Sequence, residues 1–232
     1  MQIIPISNLA IIALPAFLVL VILWRWSYSA GKSLYALARM VIQLCLIGYA
    51  LSYIFETKHP ALVFGVLSVM MLASSWIALG SVPEKRMRLY LKALLATFLV
   101  NSSLLALITQ GVLNVSPWFA PNIVIPLAGM VFAVGMNGIS LFVERYFVEL
   151  ERVIENEARN TAYRATLIPI TNSLFAVGLV SLPGMMTGQI LSGISPLIAV
   201  RYQIMIMLMF FASSGLTSAL FYQLIREKGK AS

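Results

Sequence analysis

Long apolar stretches, separated by short segments that carry most of the charge, make up most of this sequence. Hydrophobic residues account for 60% of its 232 residues and charged residues for 10%. A run of about 20 apolar residues is long enough for a helix to cross a bilayer. Such runs occur at about 8–25, 33–55, 61–80, 89–112 and 122–143. Two further apolar segments fill most of Ala165–Tyr222 and meet at about 192–196. The pattern predicts an all-α, polytopic membrane protein with about seven transmembrane helices, forming a single transmembrane domain over residues 1–232.

The basic residues predict how the chain is oriented in the membrane. Loops on the cytoplasmic side carry an excess of lysine and arginine. The residues that this rule groups on one side are Arg25, Lys32, Lys85, Arg86, Arg88, Lys92, Arg145, Arg152, Arg159, Arg164, Arg226, Lys228 and Lys230. Lys58 stands on the other side. We therefore expect the N-terminus outside and the C-terminus in the cytoplasm. The net charge of +8 then reflects topology and attraction to the lipid bilayer rather than affinity for nucleic acid.

The inventory of reactive side chains excludes several classes of enzyme. The sequence has no aspartate, a single histidine at His59 and a single cysteine at Cys45. A Ser-His-Asp triad, a Cys-His pair and a metal cage of histidine, cysteine and aspartate all need residues that are absent or isolated here. Ala30–Ser33 matches only the tail of a Walker A loop, because the first glycine would fall at Trp26. We therefore expect a protein that is not an enzyme and that binds no cofactor or nucleotide itself.

Polar and small residues indicate that the fourth and fifth apolar runs contact other helices. Asn101, Ser102 and Ser103 lie near the middle of the fourth run, and such groups form hydrogen bonds between membrane helices. The fifth run has a density of small residues that suits close helix contact or backbone lining a path, at Pro126, Gly129, Gly135, Asn137 and Gly138.

Proline and glycine interrupt the sixth apolar segment. Pro183, Gly184 and Gly188 lie where an unbroken helix would be the simplest solution in lipid. Proline removes a backbone donor, so the freed carbonyl needs a partner in protein, a side chain such as Ser181 or Thr187, or a water-lined cavity. The pattern predicts a hinge at these three residues, or a pathway beside them. The alternative is a proline-kinked helix whose two glycines pack closely on another helix.

Neutral side chains that can contact a metal ion flank this interruption. If the last two apolar segments form a hairpin, Met185, Met186, Gln189, Tyr202 and Gln203 lie at a similar level. Thioether and amide groups suit transient contact, whereas a hard ferric ion prefers carboxylates. These residues are the candidate substrate path, and the identity of any metal remains unknown.

Four residues elsewhere extend the candidate path. Asn172 lies deeper toward the cytoplasm, and Glu144 stands at the cytoplasmic end of the fifth run, where it could receive a cation. Arg39 and Gln43 share one helical face because they are four residues apart. An arginine at mid-depth costs about 3 kcal/mol, so we expect Arg39 either to face the protein interior or to reach the interface.

A sustained charged stretch follows the fifth apolar run, at 144–164. Within it Phe147, Leu150, Val153 and Ile154 recur at helical spacing between charged residues. The pattern predicts an amphipathic cytoplasmic helix, which would be either a solvated extension or a docking surface for another protein.

Several motifs resemble one known family. The run Gly178–Ile190, GLVSLPGMMTGQI, and the later Ala199–Ile204, AVRYQI, are similar to the signature of the Fet-type iron-export ABC transporter permeases, whose plant relatives act in aluminium tolerance. Further similar motifs are Arg39-xxx-Gln43-Leu44 with Gly48-Tyr49, Ile125-Pro126 with Gly129-Met130, and Leu167-Ile168-Pro169. The resemblance covers nearly the whole chain.

The resemblance implies the membrane subunit of an ABC transporter in the bacterial inner membrane. Two copies would form a homodimer, and separate cytoplasmic ATP-binding cassette subunits, which hold ATP and Mg, would drive export of iron or a related metal ion. Glu157, Ala158 and Arg159 resemble the end of the family's coupling element. The chain departs from the family between Ile154 and Glu157, where about ten residues of a surface turn are missing by resemblance. Either this member docks differently, or the sequence lacks a loop.

Two other functions fit the same residues. The ABC machinery could move an organic or nucleotide-sugar-like solute, because no selective metal cage can be recognised in the sequence. The chain could also act without nucleotide, as a channel or a gradient-driven carrier. A docking segment at 144–164 favours the ABC alternatives, since a lone channel has no need of one.

Overall fold

The computed structural model describes residues 5–27, 30–56 and 59–226, and within these ranges the fold is helical with no β-strand. The helices are α1 (Ile6–Ser27), α2 (Ala30–Phe55), α3 (Pro60–Ala78), α4 (Arg86–Ala106), α5 (Pro121–Leu150), α6 (Glu155–Ala176), α7 (Gly184–Leu191) and α8 (Pro196–Ile225). A 3₁₀ turn, Pro83–Lys85, precedes α4, and a π-helical segment, Leu107–Val112, continues it. The predicted all-α class is confirmed.

Five helical stretches in the described ranges are long and apolar enough to cross a membrane. They are Ala30–Phe55, Pro60–Ala78, Pro83–Val112, Pro121–Leu150 and Pro196–Ile225. A shorter apolar stretch covers Ile11–Trp26 in α1. These elements confirm a polytopic membrane protein. Its orientation stays a prediction, and Lys58, Lys228 and Lys230, which enter the charge count, lie outside the described residues.

The chain divides into two compact units, Met1–Thr57 and Lys58–Ser232. In the first unit α1 and α2 pack against each other. Arg39 and Gln43 occupy α2, and both are exposed within this unit.

In the second unit, α5 is the helix around which the others pack. It contacts α3, α4, α6 and α8. Proline stands in the first turn of α3, α5 and α8, a position where its missing N–H costs nothing and its fixed φ favours the helix. Near the end of α5, fully buried Ile139, Phe142 and Val143 form the centre of a hydrophobic cluster that also draws residues from α3, α4, α6 and α8.

A buried asparagine connects α4 to α8. The side-chain oxygen of Asn101 accepts hydrogen bonds from Ser213 Oγ at 2.9 Å and from Thr217 Oγ1 at 3.0 Å. The predicted contact between helices is therefore confirmed for Asn101. Ser103 instead donates within its own helix, to the carbonyl oxygen of Leu99 at 2.6 Å.

Two glycines of α5 make this close packing possible. A Cβ placed on Gly135 would collide with the Asn101 side-chain amide. A Cβ on Gly138 would lie 2.8 Å from Ser218 Oγ and 3.0 Å from the Ser214 carbonyl oxygen. The contact at Gly135 could be relieved only by displacing the Asn101 side chain, and the contact at Gly138 with the Ser214 backbone only by moving α8. Close helix contact is therefore confirmed as the role of these glycines.

The prediction of one amphipathic helix at 144–164 is wrong in its boundaries. Helix α5 continues to Leu150, a turn follows, and α6 starts at Glu155 and runs on to Ala176. Buried Tyr146 lengthens the apolar side of α5 beyond the predicted membrane boundary. The turn forms without glycine or proline, since the Glu149 carbonyl oxygen accepts from the amides of Arg152 and Val153 at 2.8 and 3.0 Å.

We expect Gly135→Ala to destabilise the protein, because the added methyl group displaces Asn101 from its bonds to α8. The loss should be about 2 kcal/mol, as for other overpacked interiors. Gly65→Ala is the matched control in α3, where a Cβ meets no described atom within 4 Å. Thermal unfolding of the detergent-solubilised variants measures the difference. Equal melting temperatures for the two variants would contradict the close approach.

Candidate functional site

A non-helical segment separates α6 from α7, at residues 177–183, and we name it the break. Helix α6 ends at Ala176, whose carbonyl oxygen accepts from the amide of Val180 at 2.8 Å. Gly178 has φ +82° and donates its amide to the Ser181 carbonyl oxygen at 3.0 Å. Pro183 caps the start of α7, and its carbonyl oxygen accepts from the amide of Thr187 at 3.0 Å. The chain therefore turns back on itself before it resumes as a helix.

The break corrects the alternative of a continuous proline-kinked helix. The helix does not bend at Pro183, because it has already ended seven residues earlier at Ala176. A Cβ on either Gly184 or Gly188 would meet no described atom of this chain within 4 Å, so neither glycine serves close packing inside the chain. The predicted hinge residues occupy the junction between the break and α7, and their role as a hinge stays a prediction.

The break is exposed on the surface of this chain. Leu179 is 90% exposed and Val180 84% exposed. Irregular backbone facing lipid is strongly disfavoured, because its polar groups find no water there. The segment therefore requires protein or a water-filled path beside it wherever it lies at membrane depth.

Two glutamines, one on α7 and one on α8, carry buried oxygen atoms without partners. Helix α7 packs against α8, and Gln189 and Gln203 lie seven residues on either side of Pro196, the first residue of α8. The side-chain carbonyl oxygens of both have no hydrogen-bond partner among the described residues. An unpaired buried acceptor costs about 1–3 kcal/mol. Both side-chain oxygens are therefore buried acceptors that no group of the described chain uses.

The other predicted path residues differ in exposure. Met185 and Met186 are half-buried on α7 beside Gln189. Tyr202 is 37% exposed, whereas the adjacent Gln203 is 5% exposed, so these neighbours on α8 face different surroundings. Asn172, on the last turns of α6, is exposed.

Three further predicted path residues, Glu144, Arg39 and Gln43, are carried by helices other than those of the two glutamines. Glu144 is exposed and lies within α5, six residues before its end. Arg39 and Gln43 belong to the first unit. In the described part of the chain, no group of three or more histidine, cysteine, aspartate or glutamate residues is arranged to hold a metal ion.

The turn between α5 and α6 forms a surface groove of about 430 Å³, which we name the turn groove. It is lined by Leu150, Glu151, Arg152, Val153, Ile154 and Glu157. Of the three predicted coupling residues, Glu157 is exposed and lines this groove, whereas Ala158 is fully buried. Arg159 is half-buried, donates to Asn160 Oδ1 and places its guanidinium 5.7 Å from the Tyr222 ring centroid. The groove therefore combines charged and apolar contacts at one exposed turn.

Glu155, a residue that sequence reasoning missed, fastens this turn to the rest of the unit. Its Oε1 accepts from Tyr222 Oη at 3.0 Å and from Tyr146 Oη at 3.4 Å. Both tyrosines are buried. No local spacing could reveal the pair, because Glu155 and Tyr222 are 67 residues apart.

A model of the family described as "Uncharacterised protein family (UPF0014)" matches residues 6–228. The chain belongs to the UPF0014 family. The match spans both units, the break and the turn groove, so these features belong to a chain that follows the family pattern over nearly its whole length.

Named relatives of the chain come from bacteria and plants. The chain is 33% identical over 213 residues to "UPF0014 membrane protein slr1647" of Synechocystis sp., covering 84% of this chain and 82% of the relative. It is 31% identical over 206 residues to "Probable iron export permease protein FetB" of Escherichia coli, covering 80% and 76%. It is 30% identical over 207 residues to "Protein ALUMINUM SENSITIVE 3" of Arabidopsis thaliana, covering 81% and 73%. No solved structure matches the chain. The resemblance to Fet-type permeases is confirmed.

We expect Gly178→Ala to destabilise the break, because an L-residue with a side chain is strained at positive φ. The cost should be about 1–2 kcal/mol. Gly184→Ala is the control, since its added methyl group meets open space within this chain. Thermal unfolding in detergent compares the two. A Gly178→Ala protein as stable as the control would contradict the left-handed conformation.

Proposed function

We propose that this chain is the membrane subunit of an ABC transporter that exports iron or a related metal ion. A separate cytoplasmic ATP-binding cassette subunit would hold ATP and Mg and drive the cycle. Two copies of the chain would form a homodimer in the bacterial inner membrane. The similarity to the Escherichia coli protein named as a probable iron export permease supports the cargo and direction.

The two unpaired glutamine oxygens on the neighbouring helices α7 and α8 are the observation that carries the proposal. A metal ion that leaves water needs oxygen ligands at once, and the side chains of Gln189 and Gln203 supply them without a hydrogen bond having to break first. Half-buried Met185 and Met186 add thioether groups on the same short helix. Neutral ligands hold a cation weakly, which suits passage rather than storage.

The connections of α7 explain how access to such a site could alternate. The short helix is joined to α6 by the break and to α8 by the turn at 192–195, where Gly193 has φ +90°. Irregular backbone on both sides lets a helix move as a unit while the long helices keep their internal hydrogen bonds. A shift of α7 along α8 would change whether the two glutamines are accessible from the cytoplasm or from the outside.

The turn groove supplies the docking surface in this proposal. It is exposed, it carries both signs of charge on Glu151, Arg152 and Glu157, and it includes apolar Leu150 and Ile154. Apolar anchors surrounded by charged residues are typical of protein interfaces. The short turn at 151–154 takes the place of the longer loop that the family resemblance implies.

We expect the path glutamines to be required for transport. Inside-out vesicles containing the chain and its ATPase should take up radioactive iron when ATP is added. Gln189→Leu and Gln203→Leu should each lower the uptake rate about tenfold or more. Each substitution removes one ligand oxygen, and a rise of about 1.4 kcal/mol in the activation free energy slows the rate tenfold. Met185→Leu and Met186→Leu should have smaller effects.

Gln223→Leu is the matched control for these variants, because Gln223 is exposed on the same helix α8. Indifference of uptake to all four path substitutions would remove the site. ATP-dependent uptake of an organic solute in place of iron would favour the alternative cargo. Iron uptake without any ATPase would indicate a carrier.

We expect Glu157→Lys to weaken association with the ATP-binding subunit, because it reverses a charge in the exposed turn groove. Affinity should fall about tenfold, the scale of a lost interfacial charge pair. Co-purification and titration of the purified subunits measure the change, with Glu84→Lys as the control at another exposed turn. Unchanged affinity of Glu157→Lys would contradict docking at this turn.

A further inference from the structure

One carboxylate joins three helices directly behind the turn groove. Glu155 stands in the first turn of α6, two residues before the groove residue Glu157. Its Oε1 accepts from Tyr222 in the last turn of α8 at 3.0 Å and from Tyr146 in α5 at 3.4 Å. Hydrogen bonds to a charged acceptor are stronger than bonds between neutral groups. The turn is therefore fastened to the end of α8 by a hydrogen bond to a carboxylate.

Aromatic packing makes this attachment stiff. Tyr146 stacks on Phe142 with ring centroids 5.4 Å apart, and Tyr222 lies 5.8 Å from Tyr146 and 6.0 Å from Phe142. Phe221, next to Tyr222, meets Phe142 edge to face at 6.4 Å. Buried rings in this arrangement are close-packed and transmit displacement rather than absorbing it.

Helix α8 links this attachment to the candidate path. It is a continuous helix from Pro196 to Ile225, so Tyr222 and Gln203 are separated by about 28 Å of rigid helix. The other end of α8 packs against α7. A displacement of Tyr222 along the helix axis therefore moves Gln203 by a similar amount, while the break lets α7 respond independently.

We propose that the Glu155–Tyr222 hydrogen bond transmits movement of the turn groove to α8 and so to the glutamines of α8 and α7. This inference rests on the proposed function, because it assigns the element that couples ATPase docking to the path. Tyr146 positions the carboxylate from α5. Glu155 and Tyr222 act in this proposal as positioning residues, and neither lines the turn groove.

The test measures coupling separately from docking and from folding. The full chain and its ATPase are reconstituted in vesicles, and three quantities are recorded: subunit affinity, the rate of ATP hydrolysis and the iron transported per ATP hydrolysed. We expect Tyr222→Phe and Glu155→Ala to keep the affinity and the hydrolysis rate, while transport per ATP falls about tenfold, within the range of coupling between sites. Tyr222→Phe keeps the ring and its packing, so it remains informative if Glu155→Ala fails to fold.

Glu155→Gln is expected to recover most of the coupling, because its amide oxygen can accept the same bond. Tyr90→Phe is the matched control, since it removes a tyrosine hydroxyl that donates to the Leu72 carbonyl oxygen at 3.3 Å, away from this connection.

Wild-type transport per ATP in Tyr222→Phe and Glu155→Ala would overturn the connection and leave the proposed function intact. Loss of affinity together with transport would also overturn it, because the bond would then only shape the docking surface. A wild-type chain that neither binds the ATPase nor moves iron would overturn the proposed function and the connection together.

Discussion

The absence of water in a bilayer is the constraint on which this structure depends. Every backbone amide and carbonyl in lipid needs a partner within the protein, and a regular helix supplies one for almost every residue. The long helix α8 follows this rule without interruption, and α5 departs from it only at Pro126, near its start. The break at 177–183 does not, although part of its backbone is paired internally, as in the bond from Gly178 to Ser181. The break leads directly into α7, the helix that carries Gln189, and the side-chain oxygen of Gln189 is itself unpaired.

Polar side chains hold the regular part of the bundle in register. Asn101 accepts from two hydroxyl groups of α8, and Gly135 of α5 leaves the space that its amide occupies. At the other end of α8, Glu155 accepts from Tyr222. Helix α8 is thus fixed to α4 by one set of bonds and to the start of α6 by another. Hydrogen bonds between membrane helices are individually modest, so the orientation of α8 depends on several acting together.

Much of the fold follows from hydropathy, because the need to bury about 20 apolar residues is strong and local. The contact made by Asn101 was also predictable, since an amide in an apolar run requires a partner. The boundary of α5 was not, because the charged residues from Glu144 onward mark a change of solvent rather than the end of a helix. The end of α6 at Ala176 was not predictable either, because the chain leaves the helix at extended Val177 and left-handed Gly178, well before Pro183. The pairing of Glu155 with Tyr222 is set by tertiary packing that no short-range pattern encodes.

The shortness of α7 has a consequence of its own. A helix of two turns gains little from cooperativity, because most of its residues lie at an end and nucleation is costly. Its helical state is therefore maintained by α8, on which it packs, rather than by its own sequence, in which Gly184 and Gly188 weaken it further. Separation of α7 from α8 would melt the segment as well as displace it. Local order at Gly184–Leu191 thus reports directly on contact with α8.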